Sequence, residues 1–262
     1  LPQNQEAMIA LGVDSCRAGW CVAAIGREGK KIDIKVTSNF RQAMRLFPPP
    51  DAILIDIPLG LGDRLISRDV EKEARKVLAP LRHGSIFTPP VREAVNASTY
   101  TLAKEINRAV TGKKISIQSW NISGKIAEID EFIQNDRDVT GVMREAHPEI
   151  CFKYLNRGMV PSYPKKAPNN HGIWQRLQIL ARYQRTIHSE YKTLRRRLPA
   201  AQVGNDDIVD AVCLAIAARL GLQHGFCTIE GSHTTDSRGI KMGMHYFDPV
   251  TVVWQKRDEH AL

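Results

Sequence analysis

The run "AILIDIP" at residues 52–58 decides the fold. It is apolar almost throughout and rich in β-branched residues, the pattern of a strand covered on both faces. Upstream lie "MIALGVDS" (8–15), "WCVAAIG" (20–26) and "KIDIKV" (31–36), three short strands joined by tight turns, most simply an antiparallel meander. A short helix over about 39–47, stopped by "PPP" at 48–50, leads from the meander into the buried strand. This switch from hairpins to a buried strand reached through a helix predicts an α/β fold, a mixed sheet with helices packed on it.

Downstream, residues 63–110 read as largely helical, with a strong pattern in "VEKEARKVLA" (70–79), a turn-rich break at "PLRHGSIFTPP" (80–90) and a helix at about 91–109. Such an insert would form a lid or subdomain. A helix over about 122–134 precedes a strand, "GVMREA" (141–146), which runs into a strand-to-helix junction at "HPEICFKYLN" (147–156). "PSYPKKAPNN" (161–170) is a polar loop, "IWQRLQILARY" (173–183) a helix, and "YKTLRRRL" (191–198) weakly helical and basic. A helix at 205–221 is followed by an edge strand, "GFCTIE" (225–230), and by a loop, "GSHTTDSRGIKMG" (231–243). Residues 1–7 read as an irregular extension and 8–262 as one domain carrying the insert.

With 262 residues the chain is long enough to bury a core without disulfides. Five cysteines, Cys16, Cys21, Cys151, Cys213 and Cys227, form no CxxC pair and no cluster with histidine. That pattern argues against a thiolate zinc site and fits a reducing compartment, with the cytoplasm as the default. No apolar run is long enough for a membrane span, and the first residues lack the features of a signal peptide. A formal charge of +9 favours an anionic partner such as nucleic acid. A homodimer is the general expectation for oligomeric state.

The segment "NDDIVDAVCLAIAARLGL" (205–222) carries three aspartates at the start of an apolar, alanine-rich helix. Asp207 and Asp210 are three apart and project from one side, whereas Asp206 points about 100° away and reads as a cap. Two adjacent like charges on a tightly packed helix need a counter-charge. Asp14, near the end of the first strand in "GVDSCRAGW", is either a turn residue or a ligand. Asp56 ends the buried strand; alternation places it on one face with Ala52 and Leu54, opposite Ile53, Ile55 and Ile57. A carboxylate there is costly without donors or cations, and strand carboxyl ends are where open α/β sheets place their ligands. Asp14, Asp56, Asp207 and Asp210 thus form a candidate metal set whose oxygen-only ligation suits Mg²⁺ or Mn²⁺. Two such ions about 4 Å apart can activate a water on one side of a phosphodiester and stabilise the leaving oxygen on the other. Glu149, in "REAHPEICF", is either a further ligand or base, or an ordinary first-turn acid.

In order, "GVD…GW", "IDIPLG", "HPE" and "DDIVDAVCLAIAA" resemble the family called domain of unknown function 429, described as predicted nucleases of the RNase H-like fold; the resemblance spans about 8–221. "GSIFTPP" (84–90) is similar to that family's serine/phenylalanine/proline loop, while "SRDVEKEARKVL" (67–78) retains Arg68 and Arg75 but has Val70 and Glu71 where Cys-Asp is expected. The resemblance implies a central mixed sheet of three antiparallel strands followed by parallel ones, with helices on both faces. It implies metal-dependent phosphodiester hydrolysis by Asp14, Asp56, Asp207 and Asp210, arranged as in Holliday-junction resolvases, with Glu149 matched on the family alone.

For a nucleic-acid substrate, DNA or RNA, the candidate phosphate contacts are Arg17, Arg68, Arg75, Lys165, Lys166 and Arg176, with Arg82 and the run Arg195–Arg197 beside them. Trp120, Phe87 and Tyr163 are candidates to stack a base, whereas Trp20 and Trp174 read as core. Two other functions compete. One is a catalytically inactive nucleic-acid-binding or scaffold protein on the same fold. The other is a sugar-kinase or actin-type phosphotransferase, disfavoured because the turn after Asp14 lacks the needed glycine and no P-loop is present.

Overall fold

In a computed structural model that describes residues 8–136, 139 and 141–251, the meander and the buried strand join one sheet. Residues 1–7, expected as an irregular extension, lie outside the described residues. Strands β1 (Ile9–Cys16), β2 (Gly19–Gly26) and β3 (Ile32–Thr37) pair antiparallel in sequence order. The β1–β2 turn depends on Gly19, whose φ of 134° disfavours a side chain and whose Cβ would lie 2.1 Å from the Thr37 carbonyl oxygen. Helix α1 (Phe40–Arg45) starts where the Asn39 side chain accepts from the Gln42 amide. It leads to β4 (Ala52–Ile55), which pairs parallel with β1.

Between β4 and the next strand of the sheet the described residues form α2 (Val70–Leu78), a 3-10 turn at His83–Ser85, α3 (Arg92–Val95), α4 (Tyr100–Thr111), α5 (Ile117–Asn121) and α6 (Ser123–Asn135). Residues 63–69 are not helical, and the helix expected at 91–109 is broken in two, because Thr99 caps a new start at the Leu102 amide. Strand β5 (Met143–Glu145) then pairs parallel with β4, giving the order β3-β2-β1-β4-β5. Helices α7 (Pro148–Leu155), α8 (His171–Leu180), α9 (Ile187–Arg197) and α10 (Asn205–His224) follow.

Residues 231–243, expected as loop, instead belong to a hairpin of β6 (Cys227–Thr235) and β7 (Lys241–Tyr246) that forms a separate two-stranded sheet. The turn is built by Asp236, whose carboxylate accepts from the amides of Arg238 and Ile240. The edge strand expected at 225–230 forms the start of β6, but only Ile229 of β6 is buried, so its continuation to Thr235 carries too little alternation to be recognised locally. Its inward contacts go to α2 and α7, through Val70, Ala74, Leu78 and Ile150.

Alternation sets the two faces of the main sheet. Ala10, Ala52 and Leu54 point toward α7, α8 and α10, while Leu11, Val13, Ile53 and Ile55 point toward α1 and α6. Trp20 is core, as expected, and donates to Glu128. Trp174 is not: it is 39% exposed and stacks on His188, because it lies on the outer side of α8 from Ile173 and Leu177. No helix among the described residues is long and apolar enough to cross a membrane.

Candidate functional site

Strands β1, β4 and β5 are mutually parallel, so their carboxyl ends share one edge of the sheet. Val13 pairs with Ile55, and the Asp56 amide donates to the Val13 carbonyl at 2.9 Å, which sets Asp14 and Asp56 side by side. Both continue the alternation that faces α10.

Helix α10 crosses that face in near-contact with β1. A Cβ on Gly12 would lie 2.1 Å from the Ala211 carbonyl oxygen and 2.2 Å from the Ala215 amide. The same approach brings Asp210, nearer the helix start, against the strand ends. Asp14 feels the charges of Asp56, Asp210 and Asp207, and Asp56 those of Asp210, Glu145 and Glu149. Glu149 enters from the first turn of α7, directly beyond β5, and is buried.

Asp206 and Asp207 differ from expectation. The carboxylate of Asp207, not that of Asp206, caps the helix, accepting from the Gly204 amide at 2.8 Å. The third helical residue reaches back to the capping position, and Gly204 has no side chain to do this itself. Asp207 is therefore half-buried at the rim of the cluster and partly committed to the backbone.

The cations also depart from the surface roles expected of them. Arg176 is fully buried, donating to Glu149 at 2.6 Å and to the carbonyls of Tyr163 and Gly172, each at 3.0 Å. Arg68 is buried against Glu71 and Glu145 and donates to the carbonyls of Leu59 and Gly60. Neither is placed to receive a substrate phosphate, because each is consumed by buried acids that would otherwise be unpaired. Arg75 holds the 86–88 loop through the Ile86 carbonyl and Thr88. Arg195 and Arg197 are not merely solvated, since they bind the carbonyls of Val203 and Ile34. Arg17 and Lys166 remain exposed.

Lys165 lies inside the acidic cluster. Its ammonium pairs with Asp210 Oδ2 and stands 3.9 Å from Glu149 Oε1. The sequence showed a lysine in a proline-rich loop, but nothing local placed it among these carboxylates.

Burial raises the carboxyl pKa of Asp14 well above the ordinary range, reinforced by Asp56 and Asp210. It raises Asp56 to about 7 and Asp210 to about 6, with Lys165 opposing in both cases. Although burial opposes its own charge, Asp210 and Glu149 hold Lys165 more firmly protonated than a free lysine. His147, at the mouth of α7, is lowered to about 4 by burial and by Lys165, and is therefore neutral near pH 7. These shifts describe a site short of positive charge.

Because Asp56 and Asp210 keep protons in the folded state that the unfolded chain has lost, stability of the metal-free protein falls as pH rises from about 4 to about 7. Urea titrations across that range check this. A stability that rises over the window contradicts it, and Asp56→Asn is expected to flatten the slope.

Two carboxylate oxygens, Asp210 Oδ1 and Glu149 Oε2, are buried without a hydrogen-bond partner. With Asp14 and Asp56 nearby, these are oxygen donors of the type that hard divalent cations take. As the side chains stand with Lys165 among them, no group of three or more His, Cys, Asp or Glu residues is gathered to hold a metal ion among the described residues.

Removing Arg176 should be costly. Arg176→Met leaves Glu149 buried without its hydrogen-bonded cation and with only the Lys165 ammonium, at 3.9 Å, beside it, at a cost of about 3 kcal/mol. Adding Glu149→Gln should recover much of that loss in a double-mutant cycle by chemical denaturation, and strict additivity of the two substitutions would contradict the pairing.

The class defined by this geometry is a mixed α/β protein with an acidic cluster at the carboxyl edge of its sheet. A family model described as "Protein of unknown function (DUF429)" matches residues 12–233, and the chain belongs to that family. No curated protein and no solved structure matches it.

Proposed function

We propose that this chain is a divalent-metal-dependent nuclease of RNase H-like fold, hydrolysing phosphodiester bonds in nucleic acid. The carrying observation is the convergence of Asp14 and Asp56, from the ends of adjacent parallel strands, with Asp210 from α10, on an edge where negative charge exceeds positive. The order β3-β2-β1-β4-β5, with an antiparallel meander followed by parallel strands, supports the fold assignment.

In this reading Asp14, Asp56 and Asp210 hold Mg²⁺ or Mn²⁺, and Glu149, oriented by Arg176, adds a further oxygen from the side. Bound divalent cations would polarise the phosphodiester and lower the pKa of an attacking water. Asp207, at the rim, positions the approach to Asp14. Exposed Arg17, whose charge reaches Asp207, and Lys166 meet substrate phosphates. The water oxygen bonds to phosphorus as the bond from phosphorus to the 3′ oxygen breaks. One water proton passes to solvent, the leaving oxygen gains a proton, and the products carry 5′-phosphate and 3′-hydroxyl ends.

The test is incubation of the protein with labelled single-stranded, duplex, hybrid and branched nucleic acids in Mg²⁺ or Mn²⁺. Cleavage is expected on at least one of them and is lost with EDTA. Cleavage that survives the double substitution Asp14→Asn, Asp207→Asn overturns the proposal.

A further inference from the structure

The geometry points to Lys165 as a resident cation of the acidic site: it takes the place of one divalent ion, so that a single added ion completes the cluster. This rests on the reading of the cluster as a divalent-cation site and replaces the two-ion expectation with one ion plus one lysine.

Three independent observations carry it. The first is position: the ammonium bridges Asp210, from α10, and Glu149, from α7, and its charge is felt by Asp14 and Asp56. It joins carboxylates from separate elements, as a metal ion would.

The second is that this position is built into the backbone. Arg176 donates to the Tyr163 carbonyl, two residues before Lys165, and at its other end holds Glu149. Gly172 supplies the surface on which the loop rests: a Cβ there would lie 1.9 Å from the Pro164 carbonyl oxygen and 3.0 Å from the Lys165 Cα. Pro161, Pro164 and Pro168 restrict the loop further. A free surface lysine spends most of its time in solvent, whereas this one starts from a main chain pinned against the helix that also orients the Glu149 carboxylate.

The third is charge. When ionised, the four acids that surround Lys165 and Arg176, namely Asp14, Asp56, Glu149 and Asp210, carry four negative charges, while the charge of Asp207 lies at the half-exposed rim, where solvent screens it. Arg176 and Lys165 supply two positive charges, both within this cluster. The remaining deficit of two equals one divalent cation. A second divalent ion with the lysine in place would leave an excess of positive charge in a largely buried site, which is costly. Losing Lys165 raises the deficit to three, more than one divalent ion neutralises, and frees the space its ammonium holds beside Asp210 and Glu149.

Calorimetric titration of the full chain with Mn²⁺, and electron paramagnetic resonance counting of the bound ion, test this without reference to catalysis. The wild type is expected to bind one Mn²⁺, Lys165→Arg one, and Lys165→Met two. Gly172→Ala, which keeps the lysine but lifts its backbone, is expected to behave like Lys165→Met. In cleavage assays the dependence of rate on Mn²⁺ concentration should steepen from first toward second order in Lys165→Met. Two Mn²⁺ ions bound by the wild type overturn the lysine assignment while leaving the metal-dependent reading intact, and that count alone is decisive should Lys165→Met not fold. Absence of Mn²⁺ binding by wild type and by Lys165→Met removes the divalent-site reading itself.

Discussion

Gly12→Ala is expected to destabilise the protein by about 3 kcal/mol or more, at the upper end of what overpacking costs. The added methyl would meet the Ala211 carbonyl oxygen at 2.1 Å, the Ala215 amide at 2.2 Å and the Leu214 carbonyl carbon at 2.8 Å. All three are main-chain atoms of a buried helix, so no side-chain rotation relieves the contact. The strand and helix must separate, and the cores on either side of the sheet limit how far they can. The separation would also pull Asp210 away from Asp14, so metal binding and cleavage should fall together with stability. Gly26→Ala, paired with Ile9 at the far end of the β1–β2 ladder, is the control: its nearest atom is the Met8 carbonyl oxygen at 3.8 Å, and little change is expected. Thermal melting compares the two, at about 2–4 °C per kcal/mol for a chain of this size. Equal melting temperatures for Gly12→Ala and the parent would refute the close packing.

Asp14→Asn is expected to move stability and activity in opposite directions. Asp14 is 7% exposed, its carboxyl is driven toward the neutral form by burial and then by Asp56 and Asp210, and its side chain makes no hydrogen bond among the described residues. Replacing it with an amide removes the repulsion and offers donors to the neighbouring carboxylates. The metal-free variant should therefore melt higher than the parent at pH 7, and the difference should shrink as pH falls and the native carboxyl becomes protonated. Cleavage should drop by about 10³-fold or more, since a group acting as part of one unit is not replaced by the others. The stabilisation afforded by Mn²⁺ should also decline, because binding free energy to the folded state raises its stability by mass action. An Asp14→Asn protein that is less stable without metal, or equally active with it, would show that the carboxylate serves the structure and not the cation.

Such a trade is the expected signature of a site that stores unfavourable electrostatics for function. The opposing case within this chain is Arg68, buried with Glu71 and Glu145 at the base of α2. There two acids meet a guanidinium that also satisfies the carbonyls of Leu59 and Gly60, and no acid is left among like charges alone. Although burial raises Glu145 to about 7, the short contact to Arg68 makes the pair a structural bolt between β5 and α2. Both groups contain buried acids, and what separates them is contact: Arg68 touches both of its acids, whereas Asp14 and Asp56 pair directly with no cation among the described residues.

Much of the sheet was legible in the sequence because its signals are local. Alternation along 52–58 assigned Asp56 to the face of Ala52 and Leu54, and the core divides that way. The meander at 8–36 and the helix that leads out of it follow from turn residues, a cap and three prolines. Asp14, Asp56 and Asp210 could be nominated because a carboxylate at a strand end or on a packed helix is expensive wherever the chain goes. Charge alone could not be assigned a place. Arg68, Arg176 and Lys165 have the same local look as exposed Arg17 and Lys166, and only packing separates buried partners from surface cations. An edge strand was legible at 225–230, but the rest of β6 and its pairing with β7 were hidden because β6 buries one residue in nine, leaving no period to detect. Which aspartate caps α10 was decided by the reach of a side chain back to Gly204. The sequence by itself determined the element types and the costly acids, since those depend on neighbours within a few residues. Only the tertiary structure decided which cations meet those acids, because ion pairing across 27 to 45 residues of chain is fixed by how helices settle on the sheet.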